Sequence, residues 1–182
     1  NTAILSGDAM LVLAYRLMNN CPDSYLKQVM DIFSQTALEI CEGQQWDMEF
    51  ETRSDVTVSE YIEMIRLKTS VLLACALKIG AWLGDAPRQD AELLYRFGEN
   101  LGLAFQIRDD VLDTISTEDE LGKTIGSDAA EKKTTFVSLL GVDECGRLVH
   151  LHTEKAKAAA AGYFADTEFL CWLADLLADR RK

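Results

Sequence analysis

Proline is scarce in this chain of 182 residues: Pro22 and Pro87 are the only two. Few breakers, with Ala, Leu, Glu and Lys plentiful, favour helices throughout, and no β-alternation opposes them. Histidine is scarcer still in function-bearing patterns. His150 and His152 stand alone in Val-His-Leu-His-Thr, with no further His or Cys at ligand spacing, which argues against zinc. No Glu-x-x-His pair speaks for a di-iron bundle. No HExxH, no GxSxG elbow and no Walker-type glycine loop is present. Basic residues are outnumbered, 18 against 30 acidic, for a net charge of -12. Without a basic stripe, a nucleic-acid partner is not expected. No apolar run reaches the roughly 18 residues of a membrane span. The five cysteines (Cys21, Cys41, Cys75, Cys145, Cys171) are odd in number, scattered and without a CxxC. We read them as unpaired, mostly buried thiols of a cytoplasmic protein.

The chain opens Asn1-Thr2-Ala3-Ile4, without Met, without a signal-peptide pattern and already in helical periodicity. An N-terminal portion is therefore expected to be missing. With 48% hydrophobic residues the chain can bury a real core. We read residues 1–182 as one all-α domain. Ala3 to Met18 is apolar nearly all round, which predicts a buried helix, and Gly7 within it predicts a close helix approach. Asp23 or Ser24 is placed to cap a second helix to about Glu51. Thr57 and Glu60 form a capping box opening a helix from Val58 to Leu83. Further helices are expected over Gln89–Leu112, Asp128–Leu140, Asp143–Phe164 and Thr167–Ala178.

One stretch organises the chemistry. Phe105-Gln106-Ile107-Arg108-Asp109-Asp110-Val111-Leu112-Asp113 puts three carboxylates into five residues of an apolar run. At about 100° per residue, Asp113 lies roughly 40° from Asp109, Asp110 roughly 100° and Gln106 about 60° from it. The four are expected to share one face. Such a face repels itself and is costly beside Leu and Val unless something positive joins it. Hard oxygen ligands suit Mg²⁺, which takes one or two carboxylates and completes its octahedron with water and substrate phosphate. The plainer alternative is a solvated acidic face.

Basic residues keep it company. Lys68-Thr69 stands mid-helix between Leu67 and Val71, where the lysine either snorkels or reaches a diphosphate. Lys123 lies on a loop flanked by Gly122 and Gly126, and Lys132 and Lys133 follow. Gln44 and Asp47, at i and i+3, form either a supporting polar pair or a surface pair.

These residues resemble a known family. Gly102 to Asp113, followed by Leu121-Gly122-Lys123-Thr124-Ile125-Gly126-Ser127-Asp128, resembles the second aspartate-rich motif of the trans-isoprenyl diphosphate synthases and the loop after it. Lys133-Thr134-Thr135-Phe136, Gly43-Gln44-Gln45-Trp46-Asp47-Met48, Lys68-Thr69 and Gly7-Asp8-Ala9-Met10 resemble four further segments of that family, in its order. The resemblance implies the isoprenoid synthase helical bundle, its C-terminal two-thirds. It implies an Mg²⁺-dependent prenyltransferase of farnesyl or geranylgeranyl diphosphate synthase type. The substrates would be isopentenyl diphosphate and an allylic diphosphate, and the enzyme a homodimer. By position, Asp109 and Asp110 would hold Mg²⁺ with Asp113 in support. Lys68 and Lys123 would bind the allylic diphosphate, with Lys133 beside them. Thr69 and Gln106 would lie near its ester oxygen, and Phe105 would line the homoallylic pocket. The family's first aspartate-rich motif and its isopentenyl diphosphate arginines have no counterpart in these residues. A class I terpene cyclase and a non-catalytic partner subunit remain as alternatives. The cyclase's Asn-Asp-x-x-Ser-x-x-x-Glu motif is absent.

Overall fold

The protein is described by a computed structural model covering residues 1–115, 134–161 and 166–180. Eight α-helices are assigned there: α1 (Thr2–Met18), α2 (Asp23–Phe50), α3 (Val58–Ile65), α4 (Val71–Leu83), α5 (Arg88–Ile115), α6 (Phe136–Leu140), α7 (Val142–Ala160) and α8 (Glu168–Asp179). Among the described residues there is no strand, in keeping with the all-α expectation.

The helix predicted over Val58–Leu83 is continuous but not uniform. A π turn, Arg66–Ser70, joins α3 to α4. It carries Lys68 and Thr69. A π turn inserts one residue into the α repeat and often marks a functional position. Two glycines allow it to be packed from both sides. A methyl group on Gly43 of α2 would lie 2.4 Å from the Lys68 nitrogen. One on Gly102 of α5 would lie 2.5 Å from Ser70 Cα. Only glycine permits backbones this close. The predicted capping box opens α3: Thr57 Oγ1 accepts from Glu60 N–H, and Glu60 accepts from Thr57 N–H.

α5 is the central element and packs against α4, the π turn, α6, α7 and α8. Its buried face (Leu103, Ile107, Val111) joins Phe50, Tyr61, Met64, Ile65, Phe136 and Val149 in the largest apolar cluster. A second cluster, Phe97 and Leu101 with Ala156, Ala160 and Ala174, seats α7 and α8 on the other end of α5. The small alanines let these helices close in.

Several expectations need correction. α1 is not buried: Ile4, Leu5, Met10 and Leu17 are each about two-thirds exposed. It meets α2 along one side only, where Tyr15 stacks edge-on against Phe33 and bonds Ser34. A helix apolar all round needs partners on several sides, and the described residues supply one. Among the described residues no atom lies within 4 Å of where a Cβ on Gly7 would stand, so it marks no close approach there. α2 has no side-chain cap; it starts at Asp23 behind Pro22, whose ring fixes φ. α7 begins at Val142 and ends at Ala160, short of Phe164, which with residues 128–133 lies outside the described residues. None of the five cysteines is in a disulfide; Cys75 and Cys145 are buried, but Cys41 is exposed.

Candidate active site

The capping box fixes where α3 starts, and helical spacing then puts Tyr61, Ile65 and Lys68 on one side. They line a small polar cleft of about 100 Å³ with Asp47 of α2, Gln106 and Asp110 of α5, and Thr134 and Thr135 before α6. Lys68 Nζ donates to Asp47 Oδ2 at 2.7 Å, and Gln44 Nε2 reaches the same oxygen at 3.4 Å. Asp47 therefore holds the lysine, with the exposed Gln44 on the same oxygen, and Lys68 does not snorkel away.

Bonds run across the cleft. Thr69 Oγ1 donates to Gln106 Oε1 at 3.4 Å, and Gln106 Nε2 donates to Asp110 Oδ1 at 3.2 Å. Asp110 Oδ2 accepts from Tyr61 Oη at 3.1 Å and from the backbone N–H of Phe136 at 3.0 Å. This carboxylate is only 5% exposed. It ties α5 to α3 and α6, and Thr135 caps α6 from the same corner. The Tyr61 ring stands edge-on to Phe136 at 4.7 Å, which seals the apolar side.

Asp109 and Asp110 of α5 turn to different partners. Asp110 turns to Tyr61 and Phe136, and Asp113 is buried. Asp109 turns the other way, toward Arg180 just past α8, whose Nη2 donates to Asp109 Oδ1. The 100° between Asp109 and Asp110 proves decisive: each carboxylate finds a different neighbour. Among the described residues no three His, Cys, Asp or Glu side chains are arranged to hold a metal. The donor set nonetheless fits Mg²⁺ in its usual manner, through one or two carboxylates with water and phosphate. Asp109 already presents its carboxylate to a cation, the Arg180 guanidinium.

Of the residues predicted, Lys68, Gln106 and Asp110 share the cleft, Thr69 joins them through its bond to Gln106, and Asp109 and Phe105 face Arg180 on the adjoining side. Lys123 and Lys133 lie outside the described residues. Two participants were not foreseen. Tyr61 could have been found from its i, i+4, i+7 spacing with Ile65 and Lys68. Arg180 carried no signal in sequence, since only the packing of α8 on α5 brings it to Asp109.

Away from the cleft, His152 of α7 is buried with Nδ1 3.0 Å from Asn100 Oδ1. Burial pushes its pKa down to about 4. Burial raises the Glu99 carboxyl above its ordinary value, against the pull of Arg66.

The polyprenyl synthetase family model matches residues 1–161. The chain belongs to the polyprenyl synthetase family. Among its relatives, the geranylgeranyl diphosphate synthase of Methanosarcina mazei is 50% identical over 138 residues, covering 74% of this chain and 42% of that protein. The farnesyl diphosphate synthase of Bacillus subtilis is 35% identical over 186 residues, covering 98% and 62%. The crystal structure of the Pyrococcus horikoshii geranylgeranyl pyrophosphate synthetase superposes with a TM-score of 0.91 at 29% identity, covering 99% of this chain and 67% of that one. The fold is thus the helical fold of the polyprenyl synthetases. The chain spans between two-fifths and two-thirds of the curated relatives named here. Among its described residues, no helix is long and apolar enough to cross a membrane.

Proposed function

We propose that the protein to which this chain belongs condenses isopentenyl diphosphate with an allylic diphosphate to give a short-chain isoprenyl diphosphate, farnesyl or geranylgeranyl diphosphate, and pyrophosphate. The observation that carries this reading is the shared cleft of Lys68, Gln106 and Asp110, with Thr69 bonded to Gln106, in a chain of the polyprenyl synthetase family.

Lys68, oriented by Asp47, is a positive point charge for the allylic diphosphate. Lys123 and Lys133 are proposed to join it. Thr69 Oγ1 and Gln106, already bonded to each other, lie where the ester oxygen of the leaving diphosphate and the developing cation are proposed to sit. Asp110 holds Gln106 in that orientation. Asp109, with Asp110 and Asp113 behind it, is the carboxylate proposed for Mg²⁺, which when bound neutralises diphosphate charge and favours its departure. The C–O bond of the allylic ester breaks, and the isopentenyl double bond attacks the carbon it leaves. A proton is then lost from the isopentenyl unit. Apolar Phe105 is proposed to line the homoallylic side and help keep water from the cation.

We further propose a cytoplasmic homodimer. The unpaired cysteines support the compartment. Leu11, Leu38 and Leu72, each at least half exposed on α1, α2 and α4, support the dimer. Residues 1–182 are taken as one domain.

The test is incubation of the full protein with Mg²⁺, dimethylallyl, geranyl or farnesyl diphosphate, and labelled isopentenyl diphosphate. A labelled, longer isoprenyl diphosphate is expected. A hydrocarbon released from farnesyl diphosphate alone would favour the cyclase reading. No product in either case would favour the non-catalytic subunit.

A further inference from the structure

Arg180 is the least expected residue near the carboxylates. It follows α8 directly, in an extended conformation, and its side chain is only 18% exposed. Nη2 donates to Asp109 Oδ1 and, at 3.2 Å, to the carbonyl of Phe105. Its Cζ lies 3.8 Å from the centroid of the Phe105 ring. The backbone is gripped as well: Arg108 Nε and Nη2 donate to the Arg180 carbonyl at 3.2 and 3.0 Å. Three residues of α5, spaced over one turn, therefore hold Arg180 against the helix. The hold is incomplete in one respect. Arg180 Nε is buried with no acceptor among the described residues, and an unmet buried donor weakens any closed arrangement.

We infer that the Arg180 guanidinium is a resident counter-ion of Asp109, seated on the carboxylate and on the Phe105 ring, which a divalent cation must displace. This rests on the prenyl-condensing reading of Asp109 and Phe105. The guanidinium occupies Asp109 Oδ1, and a dication on the same carboxylate, even through Oδ2, would lie close enough to repel it. With the metal absent, Arg180 prevents Asp109 from standing as an uncompensated charge beside an apolar helix face. When a cation takes Asp109, Arg180 loses its anion and lifts, and the Phe105 ring face is uncovered in the same motion. Metal binding and opening of the homoallylic side are thereby coupled, through one side chain and without movement of α5. The coupling is reciprocal, so a tighter seat for Arg180 means weaker binding of the metal.

The test uses the full protein without substrate and Mn²⁺ as the probe, its free fraction read by electron paramagnetic resonance. R180A is expected to bind Mn²⁺ about tenfold more tightly than the unmodified protein, because a competing cation is gone. R180K, which keeps the charge but not the flat contact with Phe105, should fall between. D109N should weaken Mn²⁺ binding and abolish the difference that R180A makes. In the unmodified protein, saturating Mg²⁺ should speed hydrogen exchange of the amides at 177–180. R180A binding Mn²⁺ as weakly as the unmodified protein, or more weakly, overturns the inference while the metal reading of Asp109 stands. Unchanged Mn²⁺ binding in D109N overturns the metal reading itself. Exchange at 177–180 that ignores Mg²⁺ overturns the displacement, even if R180A proves poorly folded.

Discussion

Lys68 and Asp47 lie 21 residues apart in sequence and meet at 2.7 Å, with the two side chains 34% and 22% exposed. The lysine sits on a π turn and the aspartate on the helix facing it, so neither is free to turn away without the other losing its partner.

Asp47→Ala should therefore impair catalysis through Lys68. A fall of about 10–100-fold in turnover over KM is expected, the range typical of losing a group that orients a primary ligand. Lys68→Ala should cost more. Asp47→Asn, which still accepts a hydrogen bond, should fall between Asp47→Ala and the unmodified protein. Steady-state condensation kinetics on the full protein check this, and an Asp47→Ala protein as active as the original would refute it.

Asp110 is expected to matter for stability as well as activity. Replacing it with Ala leaves Phe136 N–H and Tyr61 Oη without the acceptor they share. The buried Phe136 N–H, deprived of that acceptor, costs about 1–3 kcal/mol. Tyr61→Phe, which removes a donor and leaves Asp110 its other bonds, should cost about 1 kcal/mol. Urea unfolding of both variants tests the order.

Gly102→Ala should destabilise by about 1–3 kcal/mol, because backbone rather than a flexible side chain must move. The new methyl would meet Ser70 Cα at 2.5 Å. Gly7→Ala, in open space within α1, should instead be neutral or stabilise by up to about 1 kcal/mol. Equal effects at the two glycines would be inconsistent with the packing described.

His152 makes stability pH-dependent in one direction. Its pKa is pushed down to about 4 by burial, below the value of roughly 6.5 in an unfolded chain. Between those values the unfolded state binds the extra proton, so stability is intact above about 6.5 and falls as pH drops toward 4. The loss should reach at most about 3 kcal/mol. His152→Gln should flatten this part of the profile. Urea midpoints across that pH range, compared for the two proteins, provide the measurement.

Much of this was legible in the residues because the signals were local. The Thr57–Glu60 capping box and the helical spacing of α5 depend on neighbours a few positions apart. Gln44, Asp47, Lys68 and Gln106 were legible as candidates, but not the bonds joining them, which depend on how α2 and α5 cross. What escaped was nonlocal. The π turn leaves no hydrophobic signature; it follows from the close packing of Gly43 and Gly102 around Arg66–Ser70. The splitting of Asp109 from Asp110 required knowing that α6 and α8 approach α5 from different sides. The exposure of α1 could not be read from its composition, since an apolar helix announces that it needs cover without saying what provides it.

The extra residue in the π turn has a consequence for evolution as well as for geometry. Before Arg66, α3 packs against α2 and α6; after Ser70, α4 packs chiefly against α5. Deleting one residue between them would turn α4 by about 100° relative to α3. Ala74 and Cys75 would leave the core, even though every remaining side chain kept its identity. Substitutions can accumulate along this helix, but its length is locked, and insertions or deletions belong in the connections outside it.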